Sequence, residues 1–145
     1  MKIYCEHGAL TSGRRKFQRD GRIALVHFPY DPVSRTRHIS PSATPSDAQW
    51  RDLNTTWSEL TRPWTDFKGS EYHREIIRIV GSANRRDALH VDSAYKSGCS
   101  AIVTVDNDIL AHKAEIETLL GLRVFHPIID GEELHCFIEA GAGGA

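Results

Sequence analysis

The chain has 145 residues, 40% of them apolar, which suits one compact core and is too little for two ordinary domains. Its 18 Lys and Arg against 19 Asp and Glu give a net charge of −1, which excludes a protein that coats nucleic acid or membrane through bulk charge. No run approaches the roughly 18 consecutive apolar residues of a membrane-spanning helix, and MKIYCEHGAL lacks the parts of a secretory signal, so the expectation is a cytoplasmic protein with no membrane partner.

Lys2 to Cys5 reads as a short apolar strand. Thr11 to Asp20, polar and basic through Arg14, Arg15, Lys16 and Arg19, reads as a helix that Gly21 stops. Arg22 to Phe28 is a near-continuous apolar run, the pattern of a strand covered on both faces, and Pro29 with Pro32 ends it. Residues 31–45 are rich in Pro, Ser and Thr and are expected to form a surface loop or a functional insertion. Ser46 and Gln49 have capping-box spacing and open a helix that carries Trp50, Leu53, Trp57 and Leu60 as far as Pro63. A second helix follows Ser70, with Tyr72, Ile76, Ile79 and Val80 on one stripe and Gly81 at its end. A third spans Asp87 to Ser97, with Ala88, Val91, Ala94 and Tyr95 on its apolar side, and Gly98 stops it.

Ala101 to Val105 is a buried strand of β-branched residues; a helix with Ile116, Leu119 and Leu120 follows it and closes at Gly121. Leu122 to Phe125 is the last strand and Gly131 to Glu139 the last helix. The pattern predicts a three-layer α/β fold with a central, mostly parallel sheet of about four strands flanked by helices. Residues 1–140 form the single domain and 141–145 (GAGGA) a flexible tail. Cys5, Cys99 and Cys136, odd in number and without CxxC spacing, read as small buried hydrophobes.

Charge is unevenly distributed: basic residues exceed acids by five over residues 1–40, and acids exceed basic residues by five over 81–145. In an open parallel sheet ligands bind beyond the carboxyl ends of the strands. Three predicted strands run into an acid there: Glu6 after the first, Asp31 shortly after the second and Asp106 after the third. A helix leading into a parallel strand starts at that same edge, which brings Asp87 to it, and Asp108 lies two residues beyond Asp106. Neighbouring strands are about 4.8 Å apart, so such carboxylates can share one cation. Hard oxygen donors suit Mg2+ or Mn2+ rather than zinc. Asp92 is expected to face solvent away from Asp87, and His90 and His135 to lie on helix faces. Each acid also has a purely structural explanation: Asp87 as a helix-start residue, and Asp106, Asn107 and Asp108 as an ordinary turn.

The segment Arg86 to Leu110, RDALHVDSAYKSGCSAIVTVDNDIL, resembles the C-terminal half of PIN-domain nucleases. It has an Asp-Ala-hydrophobic helix start, a small-residue helix ending in Gly, and an apolar strand running into Thr-x-Asp and a second Asp. KIYCEHGAL resembles the family's first strand, and RVFHP with its following helix the last. By that resemblance Asp87 and Asp106 match metal-binding acids, Thr104 the threonine or serine beside them, and Asp108 an accessory acid. Glu6 stands where the family has aspartate. The glutamate that the family carries after its second strand has Asp31 as its nearest counterpart, with Glu71 or Glu75 further along.

The resemblance implies a Mg2+- or Mn2+-dependent endoribonuclease that cleaves single-stranded RNA with a metal-activated water. Glu6, Asp87 and Asp106 would hold the metal, and Asp31 or Asp108 would place a second ion or the water. Arg14, Arg15, Arg85 and Arg86, with Thr104, are the candidate substrate contacts. An antitoxin protein and a second copy of the chain are the implied protein partners, since many single-domain members are toxins of toxin–antitoxin pairs. The alternative is a PIN-like domain that has lost its chemistry and serves as an RNA-binding or protein-interaction module.

Overall fold

A computed structural model describes residues 1–6, 12–27, 40–41 and 70–142. Five strands, β1 (Lys2–Cys5), β2 (Ala24–His27), β3 (Ser40–Pro41), β4 (Ala101–Val103) and β5 (Arg123–Phe125), form one sheet in the order β3-β2-β1-β4-β5. Every pairing is parallel, with Tyr4 opposite Val26 on one side and Ile102 on the other. The fold is therefore three-layer α/β, with four strands of ordinary length and a two-residue edge strand. Pro41, which has no N–H to give a ladder, sits on that edge, where proline is tolerated. The remainder of the 31–45 segment, the expected helix over 46–60 and residues 143–145 lie outside the described residues.

Side-chain alternation along the strands divides the core in two. Tyr4, Val26, Ile102 and Val124 face α2 (His73–Val80), α3 (Arg85–Lys96), α4 (Asn107–Ala111) and α5 (Lys113–Leu120). Ile3, Cys5, Leu25, Ala101, Val103 and Phe125 face α1 (Ser12–Arg19), which contributes Phe17, and α6 (Gly131–Ala142), which contributes Leu134 and Ile138. These faces follow from handedness: β1 to β2 steps one way across the sheet and β4 to β5 the other, so right-handed crossovers put their helices on opposite sides. A short 3-10 turn, Ser82–Asn84, joins α2 to α3.

Boundaries depart from the sequence pattern where local chemistry intervenes. The single helix expected before Gly121 is two, because the Asp106 side chain caps a separate α4 and the chain breaks at His112. Gly121 ends α5 at φ 70, a left-handed conformation that a side chain would strain. Helix α6 runs on to Ala142, three residues beyond the expected end at Glu139, so Gly141 and Ala142 are helical.

Two side-chain expectations are corrected, those for Asp92 and Cys136. Asp92 is fully buried, because α3 is covered on nearly every side and the face opposite the strand ends meets the start of α2. There Asp92 accepts a hydrogen bond from Ser70 Oγ and lies 3.8 Å from His73 Nδ1. His90, on the sheet-facing side of the same helix, is also buried. Cys136 is exposed on the outer face of α6, while Cys5 and Cys99 are buried. No helix among the described residues is long and apolar enough to cross a membrane.

Candidate metal centre

The strand order reverses direction between β1 and β4, and at such a switch point the two flanking crossovers leave in opposite directions and open a crevice at the carboxyl edge. Glu6 stands at the mouth of that crevice directly after β1, its N–H donating to Val103 O at 3.0 Å. Thr104 follows β4 and is fully buried, with its N–H bonded to Phe125 O at 3.0 Å. Two residues later Asp106 caps α4: its Oδ1 accepts from the N–H of Asp108 at 2.8 Å and of Ile109 at 3.2 Å. Helix α3 begins at the same edge and brings Asp87 in its first turn.

Carboxylate oxygens of Asp87, Asp106 and Asp108 all lie within 4.8 Å of one another. Asp87 and Asp106 are half-buried and Asp108 is exposed. Glu6 stands beside this trio and not in it, and Thr104 Oγ1 donates to its Oε2. The same hydroxyl oxygen accepts from the Asp106 N–H at 3.0 Å, so Thr104 links the strand ends of β1 and β4. Asp108, expected as an accessory acid, is thus a full member of the converging set.

The acids act on one another. Burial, then the charges of Asp106, Asp108 and Glu6, and a hydrogen bond with Asp106 push the Asp87 carboxyl from 3.8 up to about 6. Burial pulls His90 down to about 4, assisted by the Arg86 charge and opposed by Asp106, so its ring is neutral at physiological pH. Neutral His90 meets the buried Tyr4 hydroxyl, with Oη 2.5 Å from Nδ1.

The other predicted residues fall in three groups. Asp31 lies outside the described residues. Arg14 and Arg15 belong to α1, and Arg85 is the first residue of α3; Arg86, next to Asp87, is exposed. Glu71 accepts from the Tyr95 hydroxyl at 2.8 Å, near the end of α3 that lies about 12 Å along the helix from Asp87, and Glu75 pairs with Arg78. Neither joins the acidic edge. Sequence reasoning missed Tyr4 and His90 as neighbours of the site. Their signal is present: Tyr4 is two residues before Glu6 on one strand face, and His90 three after Asp87 on one helix face.

Three carboxylates at this spacing could hold a divalent metal ion, with waters completing its shell. No protein-family model, curated protein or solved structure matches the chain.

Proposed function

We propose that the chain is a PIN-like, divalent-cation-dependent phosphodiesterase acting on single-stranded RNA. The observation that carries this is the convergence of Asp87, Asp106 and Asp108 within 4.8 Å at the sheet's switch point. Burial first, and then the like charges of Asp106, Asp108 and Glu6, raise the Asp87 carboxyl, and a divalent cation would remove the charge conflict. Such a cation would offset charge on a scissile phosphate and acidify a water.

The chain's own groups divide the remaining work. Asp106 holds one oxygen in its helix cap, which fixes the direction of the other. Thr104 keeps Glu6 turned toward β4. Arg86, exposed beside Asp87, supplies positive charge where an RNA backbone must approach an acidic pocket. The resemblance of Arg86 to Leu110 to PIN nucleases supplies the reaction class and the substrate class. A role as the toxin of a toxin–antitoxin pair predicts an antitoxin gene beside this one, and an isolated gene counts against that role.

Purified protein with Mn2+ is expected to cut single-stranded RNA, and Asp106→Asn to abolish cutting while keeping the α4 cap. Equal cleavage by that variant removes the proposal. The competing reading, a PIN-like module that binds without chemistry, draws on exposed Val105, Ile128 and Ile129, which follow β4 and β5 at the same edge. It prevails if millimolar Mg2+ and Mn2+ neither bind nor raise the melting temperature, since binding to the native state must stabilise it.

A further inference from the structure

Four acids at one edge repel each other, yet the helix carrying Asp87 stays against the sheet. One turn into that helix, on the same side as Asp87, His90 is buried and hydrogen-bonded to Tyr4. Tyr4 lies in β1 two residues before Glu6, so its side chain and that of Glu6 project from the same sheet face toward α3. Strand β1 and helix α3 are thus joined at Tyr4–His90, and one step outward along each lie Glu6 and Asp87, whose like charges act on one another. That step is about 6.6 Å along β1 and about 4.5 Å along α3, so a bond at the inner pair limits how far the outer pair can separate.

We propose that the Tyr4–His90 hydrogen bond is a positioning strut that holds Asp87 against the repulsion of Asp106, Asp108 and Glu6, and so presets the spacing of the cation site. This deepens the nuclease reading and rests on it. Strand β1 pairs with β4 in register, Tyr4 opposite Ile102, so a tie from α3 to Tyr4 references Asp87 to the strand that leads into Asp106. With His90 neutral the strut contains no charge to be neutralised by the cation, and holds equally in the free and the loaded protein. Groups that orient metal ligands from behind typically matter 10–100-fold in metal affinity.

The full chain is titrated with Mn2+, following the free ion by electron paramagnetic resonance, and with Mg2+ and Ca2+ by competition. Tyr4→Phe keeps the ring and removes only the hydroxyl. It is expected to weaken Mn2+ binding about 10-fold and to narrow the preference for Mn2+ over the larger Ca2+, because a slack site adapts to a larger ion. His90→Leu should do the same, and the double variant should be no weaker than either alone, whereas His90→Gln, whose amide can donate or accept, should keep affinity within about 3-fold. Wild-type binding that Asp106→Asn abolishes and Tyr4→Phe leaves unchanged overturns the strut while sparing the metal reading. If the wild type does not bind Mn2+, both fall together. Should Tyr4→Phe lose its folded circular-dichroism spectrum, equal affinities for His90→Leu and His90→Gln refute the strut.

Discussion

Replacing Asp87 with Asn should make the metal-free protein more stable. Asp87 holds its proton up to about 6 against an ordinary 3.8, so above pH 6 the folded protein keeps a carboxylate in a place that disfavours it. That difference is worth at most about 3 kcal/mol. The group is half-solvated, and screening reduces the figure to about 1.5 kcal/mol. Asparagine is nearly isosteric, carries no charge, and can donate the hydrogen bond that the protonated acid shares with Asp106.

The sign follows from linkage. A carboxyl whose folded pKa is raised binds its proton more tightly in the native state, so its contribution is full below about pH 3.8 and is lost as pH rises through about 6. The asparagine variant escapes that loss. Its advantage should be complete near pH 8 and absent near pH 4, which for a chain of this length means a melting temperature about 3–6 °C higher in EDTA at pH 8. Adding Mn2+ should reverse the order, because only the wild type gains from binding. Thermal or urea unfolding in EDTA at both pH values decides it. A variant no more stable than wild type at pH 8, or equally advantaged at pH 4, refutes the electrostatic account of the acidic edge.

Two further predictions concern residues away from that edge. Asp92→Ala should cost about 2–3 kcal/mol in urea unfolding, because it removes the acceptor of the Ser70 hydroxyl and the carboxylate facing His73 Nδ1 and leaves a buried void, and a loss under about 0.5 kcal/mol would show that this buried carboxylate contributes no net stability. In the native protein a maleimide should modify Cys136 promptly and leave Cys5 and Cys99 untouched until unfolding, since both are buried and burial pushes the Cys99 thiol up to about 11. Mass spectrometry of the labelled chain reads this directly, and prompt labelling of Cys99 would contradict the packing of α3 against β4.

Much of the fold is visible in the sequence, because parallel strands buried on both faces leave continuous apolar runs. KIYC, ALVH, AIV and RVF all lie inside such runs, and Gly98 and Gly121 end helices where the pattern places those ends. The acidic edge is visible for a related reason: strand ends and helix starts in a parallel sheet share one side, so Glu6, Asp87 and Asp106 can be placed together without knowing the strand order. The order is not local information, and the reversal between β1 and β4 emerges only in three dimensions. The burial of Asp92 is hidden because a polar residue inside an amphipathic pattern normally marks the wet face, and nothing nearby in sequence reveals that Ser70 and His73 cover it. The α4 break is hidden because Asp106 reads equally well as a turn residue or a cap.

If Asp106 holds a cation as proposed as well as capping α4, that double use constrains how this protein can change over generations. One of its oxygens starts a helix, so drift to alanine would damage folding and be purged whether or not chemistry is under selection. Drift to asparagine keeps that helix start and silences only the charge. On the proposed reading, a lineage that ceased to need catalysis would pass through Asp106→Asn with its shape intact, leaving a well-folded descendant in which one altered atom would mark the change.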